Sequence, residues 1–323
     1  MNMPTRRKII LAGGSGFIGT AIAKKFVADG WNVVVLTRRI HSNQANGLRE
    51  VQWDGRSVEA WAAELEASDA VVNLAGRSIN CRHTAAHRAE IIESRVSSVL
   101  AVTQAIAQAR QPPAVLIQAS AIGIYGDTGE TVCTEITPTG VGFIAQTCAM
   151  WEHALLRHPM PGTRHAILRL GLVLERSGGL LVPLGRLTRW GLGGAVGTGR
   201  QWMSWIHMAD IVGIVEKLIR QKEAQGVYVA CTPHPVRNAE FMAMLRRTLH
   251  RPWSPPVPAL AVRIGAGLLG TEPDLALQGC RCLPDRLLEM GYEFEYPDLP
   301  EALAEIYGQA NSPVGLAGRK NQR

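Results

Sequence analysis

Short apolar runs alternate with amphipathic segments along the chain as far as residue 233. The runs are rich in valine, isoleucine and leucine, which is typical of strands that a parallel sheet buries on both faces. The segments between them repeat apolar residues at helical spacing. This alternation predicts an α/β fold, in which helices wind a parallel sheet on both faces through right-handed crossovers. The predicted strands are 8–14, 31–39, 50–54, 69–76, 114–122, 165–174 and 226–233, and the predicted helices are 17–30, 57–66, 87–109, 142–155 and 209–221.

The composition of the sequence changes after Gly171, where a stretch rich in glycine and aromatic residues begins. A later segment, 251–258, is rich in proline. We interpret these parts, together with the C-terminal helices, as a smaller substrate lobe over the carboxyl edge of the sheet. The predicted organisation is a sheet domain at 1–165 to which 200–232 returns, a smaller lobe at 166–199 and 233–308, and a disordered tail at 309–323.

The formal net charge of the 323-residue chain is +7, but much of it lies at the two ends. The rest of the chain is nearly neutral, so we expect no nucleic-acid partner. Six cysteines without a CxxC pair and without a secretory signal predict a reduced, cytoplasmic protein. The longest apolar segment, 259–270, is too short to span a bilayer, so no membrane association is expected. The terminal basic residues are Arg6, Arg7, Lys8, Arg319, Lys320 and Arg323.

The first predicted strand ends in a glycine motif, in which Gly13, Gly16 and Gly19 are spaced as GxxGxxG ahead of the first predicted helix. One glycine allows the tight turn, one lets the backbone approach a pyrophosphate, and one lets the helix pack closely on the sheet. The N-terminus of the helix adds N–H donors and a favourable dipole. A glycine trio in this context predicts a dinucleotide-binding turn.

The second predicted strand ends in Thr37, Arg38 and Arg39, where an NAD-binding protein usually has an acidic residue for the ribose 2′-hydroxyl. The planar fork of an arginine suits a 2′-phosphate instead. The pattern therefore favours NADP(H) as the cofactor, with a solvated basic turn as the alternative.

Several motifs together resemble the extended and atypical short-chain dehydrogenase/reductases: GGSGFIG, NLAG (73–76), SAIGIYG (120–126) and SWIHMAD (204–210). With ESR (93–95), GLGGAVGTGRQWMSWIH and RCLPDRLLEMGYEFEYPDLPEAL, the chain is similar to the NADP-binding epimerase family that carries a C-terminal domain of unknown function. The resemblance implies a Rossmann-like doubly wound parallel sheet with a smaller C-terminal substrate lobe. It also implies that the cofactor is lined by Gly13, Gly14, Ser15, Gly16, Phe17, Ile18, Thr37, Arg38, Arg39, Leu74, Ala75, Gly76, Glu93, Arg95 and Arg169.

Extended enzymes of this type place a tyrosine and a lysine four residues apart on one helix, as a general acid–base pair. With Glu152 as the anchor, these positions fall on Ile144 and Cys148. A frame one residue earlier gives Phe143 and Thr147. Neither frame supplies the pair, so the cofactor half of the pattern is complete and the usual catalytic pair is absent.

Four other polar residues are expected near the nicotinamide: Ser120, Tyr125, Cys148 and His207. We predict Tyr125 as the proton donor, assisted by Ser120, with a packing tyrosine as the alternative. The family's serine or threonine position is Ser120 or Ala121. Cys148 is predicted to be a small buried residue, with a reactive thiol as the alternative. His207 is predicted to be a structural histidine, with an acid or base as the alternative. Trp202 and Trp205 either cap an apolar substrate or fill the interface between the lobes. Cys81, His83 and His87 lie close together but lack the glutamate of an HExxH motif, so no metal site is expected.

These features predict an NADP(H)-dependent oxidoreductase that reduces a carbonyl group of an unidentified small molecule, acting as a monomer or homodimer. One alternative is a non-catalytic NADP(H)-sensing protein that presents a partner-binding surface. A nucleotide-sugar epimerase-like enzyme is a third reading, which rests on the family resemblance alone.

Overall fold

The computed structural model describes residues 7–40 and 47–308. The predicted disordered tail at 309–323 and the terminal charges at Arg6, Arg319, Lys320 and Arg323 lie outside the described residues.

The described residues form strands and α-helices that alternate through the first half of the chain, as the apolar pattern predicts. The strands are β1 (Lys8–Ala12), β2 (Asn32–Thr37), β3 (Leu48–Gln52), β4 (Ala70–Asn73), β5 (Val115–Ala121), β6 (Val132–Cys133), β7 (Arg164–Leu170), β8 (Leu172–Leu174), β9 (Trp202–Met203), β10 (Trp205–His207), β11 (Gly226–Ala230), β12 (Val236–Arg237) and β13 (Arg281–Cys282). The helices are α1 (Phe17–Ala28), α2 (Ala85–Gln108), α3 (Phe143–Leu156), α4 (Leu181–Arg189), α5 (Met208–Arg220), α6 (Asn238–Thr248), α7 (Ala259–Leu269), α8 (Asp274–Leu277), α9 (Asp285–Glu289) and α10 (Leu299–Gly308).

Seven of these strands form one parallel sheet in the order β11-β7-β5-β4-β1-β2-β3. The inner strand β1 pairs Ile9 with Val33 of β2 on one side and with Ala70 of β4 on the other. The strand order reverses at β1, so the carboxyl ends of β1 and its neighbours open a crevice there, where ligands bind in such sheets.

Alternate residues of each strand enter two separate cores, which confirms the predicted winding on both faces. Ile9 and Leu11 of β1 pack with α1 and α5, while Ile10 and Ala12 pack with α2 and α3. The fold is therefore Rossmann-like, as the resemblance implies.

A third core lies outside the sheet and joins α4, α6 and α10 around Trp205, Phe241 and Leu303. The boundary predicted after residue 165 falls inside β7, because β7 pairs with both β5 and β11 and so belongs to the sheet. The division of the chain into two lobes otherwise remains a prediction.

Two further details of the described residues bear on the predictions. The helix predicted at 57–66 is a short 3₁₀ helix over Ala60–Leu65. None of the helices that the structure describes combines the length and the apolar character that a membrane crossing requires.

Candidate functional site

The glycine turn connects β1 to α1 at the crevice. Gly13 has φ +74°, a left-handed conformation that favours glycine, and its N–H donates to the Leu36 carbonyl at 3.3 Å. A Cβ atom on Gly19 would lie 2.5 Å from the Gly14 Cα, so only glycine lets the helix pack this close to the turn. The turn therefore has the geometry that the GxxGxxG spacing predicts.

The N-terminus of α1 is open. Gly16 precedes the helix in an extended conformation, and no side chain caps the first turn. The first N–H groups of an α-helix have no acceptor within the helix, so those at the start of α1 are available to an anion. A Cβ atom on Gly16 would meet only the Gly13 carbonyl oxygen, at 3.2 Å, which leaves room for a ligand to approach the backbone.

The end of β2 lies beside this turn. The Thr37 hydroxyl lies 3.4 Å from the Ser15 hydroxyl and donates to the Arg39 carbonyl at 3.0 Å. Arg38 and Arg39 are exposed, and neither forms an ion pair with a described carboxylate. Two guanidinium groups without an ion pair to any described carboxylate therefore lie at the end of β2, beside the glycine turn.

The end of β4 closes the other side of the turn. The Leu74 N–H donates to the Ala12 carbonyl at 2.9 Å, and the Ala75 N–H donates to the Asn73 side-chain oxygen at 3.1 Å. A Cβ atom on Gly13 would lie 3.0 Å from the Ala75 nitrogen. The segment from Leu74 to Gly76 is thus packed against the glycine turn.

Glu93 and Arg95 lie on different faces of α2. Glu93 is exposed and forms an ion pair with Arg56 at 2.9 Å. Arg95 is half-buried, and its Nη1 donates to the carbonyls of Arg77 at 2.9 Å and Ile91 at 3.0 Å. Its guanidinium lies over the Trp151 ring, 5.0 Å from the centroid. Arg95 therefore faces α3, whereas Glu93 does not.

Beneath the crevice, Arg169 and Glu152 form a buried ion pair. The Arg169 Nε and Nη2 donate to the two carboxylate oxygens at 2.9 and 2.8 Å, and the Ser120 hydroxyl donates to the same carboxylate at 2.6 Å. Arg169 is 7% exposed and its Nη1 donates to the Tyr125 hydroxyl at 2.9 Å. Every nitrogen of the guanidinium is engaged within the protein, which argues for a structural ion pair and against the predicted cofactor contact at Arg169.

Tyr125 is also part of this buried cluster. The side chain is 2% exposed, and its hydroxyl donates to the Thr134 carbonyl at 2.8 Å. Burial raises the pKa of Tyr125 above its ordinary value, although the nearby Arg169 charge partly opposes the shift. The hydroxyl hydrogen is committed to a backbone oxygen, so the geometry argues against the predicted proton donor and for the alternative, a packing tyrosine.

The Ser120 hydroxyl is likewise engaged, because its hydrogen is committed to the Glu152 carboxylate. The other candidate for the family position, Ala121, has no hydroxyl. In either register this position supplies no free acid or base.

Helix α3 contributes no tyrosine–lysine pair, as the sequence predicts. The Ile144 side chain packs against Gly123, where an added Cβ would lie 2.7 Å from its Cγ2. The Thr147 hydroxyl donates to the Phe143 carbonyl at 2.8 Å. Burial raises the pKa of Cys148 to about 12, and the Arg95 charge opposes this shift. The thiol is therefore an uncharged, buried group, in line with its predicted role.

The remaining predicted residues have structural surroundings. The His207 Nδ1 accepts from the Ala209 N–H at 3.2 Å and caps α5, while its Nε2 lies 3.1 Å from Glu305. Trp205 is fully buried, and Trp202 lies between the guanidinium groups of Arg237 and Arg281.

The Cys81, His83 and His87 group has no arrangement of metal ligands. The His83 Nε2 lies 3.0 Å from the Ile79 carbonyl, and the His87 Nδ1 lies 2.7 Å from the Arg82 carbonyl. No group of three or more metal-ligating side chains is found among the described residues.

The Glu152–Arg169 pair is the feature that the sequence reasoning missed. The sequence nevertheless indicates this pair, because each residue is a charge among apolar neighbours. Glu152 lies on the apolar face of α3, and Arg169 lies in the apolar run HAILRLGLVL. Two opposite charges in segments that pack on the same sheet predict a buried pair.

Comparison with known proteins agrees with this geometry. Residues 9–174 match the profile of the NAD dependent epimerase/dehydratase family, and residues 257–306 match a domain of unknown function (DUF1731). The epimerase family protein SSP1921 of Staphylococcus saprophyticus is 32% identical over 298 residues, which is 92% of this chain and 98% of that protein.

Two solved structures share the fold over nearly the whole chain. The human epimerase family protein SDR39U1, crystallised with NADPH, is 31% identical with a TM-score of 0.84, over 93% of this chain and 99% of that one. The nucleoside-diphosphate sugar epimerase from Corynebacterium glutamicum is 29% identical with a TM-score of 0.75, over 94% of this chain and 59% of that one. Together with the profile match and the open glycine turn, these similarities establish that the chain belongs to the NAD dependent epimerase/dehydratase family.

Proposed function

We propose that the protein binds NADP(H) and reduces a carbonyl group of a small molecule. The observation that carries this proposal is the open glycine turn at β1 beside two exposed arginines at the end of β2. The turn offers backbone N–H donors to a pyrophosphate, and the arginines offer a planar fork to a 2′-phosphate. The NADPH bound to human SDR39U1 supports the same choice of cofactor.

Arg95 takes the electrostatic part of the missing lysine in this proposal. The lysine position falls on Cys148. The positive charge of Arg95 opposes the rise in the pKa of that thiol, and its guanidinium lies over the Trp151 ring, one helical turn further along α3. A cation therefore reaches the same region from α2 instead of α3. It would hold the nicotinamide ribose or the substrate oxygen by hydrogen bonds.

Arg95 cannot supply the proton, because a guanidinium does not deprotonate in proteins. The Thr147 hydroxyl, the Cys148 thiol and the Tyr125 hydroxyl are all buried and committed elsewhere or too weakly acidic. NADPH, when bound, supplies a hydride to the carbonyl carbon. The carbonyl oxygen would take its proton from solvent, and the positive charge of Arg95 would stabilise the oxygen until then.

The full-length protein with NADPH and a panel of small aldehydes and ketones tests this function, with loss of NADPH absorbance as the readout. We expect consumption by the wild type, none by Gly16→Val, and a fall in kcat of about a hundredfold in Arg95→Gln, with part of the rate restored in Arg95→Lys. Tight NADPH binding without consumption of cofactor on any carbonyl would contradict the reductase. That result would favour the NADP(H)-sensing alternative, which the fully engaged hydroxyl groups below the crevice also support.

A further inference from the structure

A cavity of about 460 Å³ lies between α4, α10 and the loop that follows β8. None of the predicted cofactor residues lines it. We call it the α4–α10 pocket, and its walls include Arg176, Val182, Arg186, Arg189, Trp190 and Tyr307. Its volume is within the range of sites for small organic ligands.

The charged side chains that line the pocket are all positive. Arg186 and Arg189 are three residues apart on α4 and so share a face, while Arg176 approaches from the loop. No acidic side chain lines the pocket within the described chain, and none of the three arginines forms an ion pair with a described carboxylate. Three guanidinium groups that converge without a counter-charge form a site for an anion.

Tyr307 fixes the back wall. A Cβ atom on Gly185 would lie 2.7 Å from the Tyr307 hydroxyl, so the absence of a side chain at Gly185 lets the phenol approach α4. The Arg189 guanidinium lies 5.6 Å from the Tyr307 ring centroid. Burial raises the pKa of Tyr307 above its ordinary value, and the positive charges of Arg189 and Arg176 oppose this rise, which agrees with the approach of both arginines to the phenol.

The pocket also has an apolar surface. Trp190 is 75% exposed and Val182 is 39% exposed, although both are large hydrophobic side chains. An exposed indole beside a group of arginines suits a ligand that has both an anionic end and a flat or apolar end.

We propose that the α4–α10 pocket binds a small organic phosphate ester. Its phosphate would pair with the three arginines and its organic part would lie against Trp190 and Tyr307. A phosphate ester suits three guanidinium groups because it has a negative charge of about 1.5 to 2 at neutral pH. Each of its terminal oxygens can accept hydrogen bonds from the planar fork of an arginine. This site does not depend on the reaction at the crevice.

The pocket is connected to the cofactor turn by a short loop. Arg176 lies two residues before Gly178, where an added Cβ would lie 2.4 Å from Cδ2 of Phe17, the first residue of α1. A ligand that orders Arg176 would therefore also order the loop that covers Phe17. We expect an occupied pocket to change NADPH affinity by a measurable factor without competing for the same site.

Isothermal titration of the full chain with phenyl phosphate, in the presence of saturating NADPH, tests the site. We expect binding that weakens at least tenfold in the double variant Arg186→Gln/Arg189→Gln. The matched control, Arg110→Gln/Arg157→Gln, removes the same charge at exposed positions just after the ends of α2 and α3 and should bind within about twofold of the wild type. Equal losses in both double variants would mean that only net charge matters, and would overturn the site.

Two further measurements separate the pocket from the crevice. Inorganic phosphate should bind more weakly than phenyl phosphate, and Tyr307→Ala should remove that difference while thermal unfolding remains cooperative. Equal affinity of the two probes for the wild type would contradict an organic ester. Displacement of phenyl phosphate by NADPH in the wild type would assign the anion to the cofactor crevice and overturn the proposal.

Discussion

Arg169 and Glu152 form a two-point ion pair beneath the crevice, where the Nε and Nη2 atoms donate to the two carboxylate oxygens at 2.9 and 2.8 Å. Both side chains are buried, at 7% and 6% exposure. The pair joins β7 to α3, and it also holds the hydroxyl groups of Ser120 and Tyr125. The four side chains thus form one buried hydrogen-bonded network beneath the crevice.

Removal of one member of this pair should destabilise the fold strongly. Arg169→Gln leaves the Glu152 carboxylate buried without a counter-charge, and we expect a loss of about 3–5 kcal/mol in the free energy of unfolding. The double variant Arg169→Met/Glu152→Leu removes both charges and should lose less than the single variant. Urea denaturation checks both values. A single variant as stable as the wild type would show that the pair does not hold β7 to α3.

Tyr125→Phe should affect stability more than catalysis. The hydroxyl donates to the Thr134 carbonyl and accepts from Arg169, so its removal leaves a buried donor and a buried acceptor without partners. We expect a loss of about 1–3 kcal/mol in unfolding free energy. Once a substrate is known, kcat should remain within a few-fold of the wild type. A fall of a hundredfold in kcat with unchanged stability would restore Tyr125 as the proton donor.

Two glycines of the turn should respond differently to substitution. A Cβ atom on Gly16 would meet only the Gly13 carbonyl oxygen, at 3.2 Å, so Gly16→Val should abolish NADPH binding at a modest cost in unfolding free energy of about 1 kcal/mol. Gly19→Ala would instead put a Cβ 2.5 Å from the Gly14 Cα and should lower the unfolding free energy. Calorimetric titration and urea denaturation of both variants separate the two roles. Normal NADPH binding by Gly16→Val would mean that no pyrophosphate lies over this turn.

The buried thiol of Cys148 should make stability depend on alkaline pH. Burial raises its pKa from an ordinary value of 9.0 to about 12, so the folded state keeps the proton when the unfolded state loses it. This contribution is fully present below pH 9 and is lost as the pH rises from about 9 towards 12. Between pH 9 and 10.5 the wild type should therefore lose more unfolding free energy than Cys148→Ala. Parallel losses in the two proteins would indicate that the thiol titrates normally.

The sequence predicts the elements that depend on local pattern. Six strands of the sheet are predicted from their apolar runs, whereas β3 (LREVQ) is more polar and begins two residues earlier than predicted. The glycine turn with Arg38 and Arg39 is predicted because its residues are neighbours in the chain. The 3₁₀ helix at Ala60–Leu65 was predicted as a longer helix, since a short segment gives too few turns for the period to distinguish the two.

The direction of the Tyr125 hydroxyl could not be predicted in the same way. It is determined by Thr134 in the following loop and by Arg169, which lies 44 residues further along the chain on β7. These groups meet only when the sheet is formed. A tyrosine at a strand end is therefore compatible with a site role or a packing role until the tertiary contacts are known.

The cofactor preference of the double variant Arg38→Ala/Arg39→Ala tests the assignment of NADP(H) most directly. If these exposed guanidinium groups pair with a 2′-phosphate, the affinity for NADPH should fall at least tenfold, because charge-assisted hydrogen bonds contribute about 1.5–3 kcal/mol each. The affinity for NADH, which has no 2′-phosphate, should hardly change. Titration of wild type and variant with both cofactors gives the four constants, and an equal loss for NADPH and NADH would contradict the assignment of this site to NADP(H).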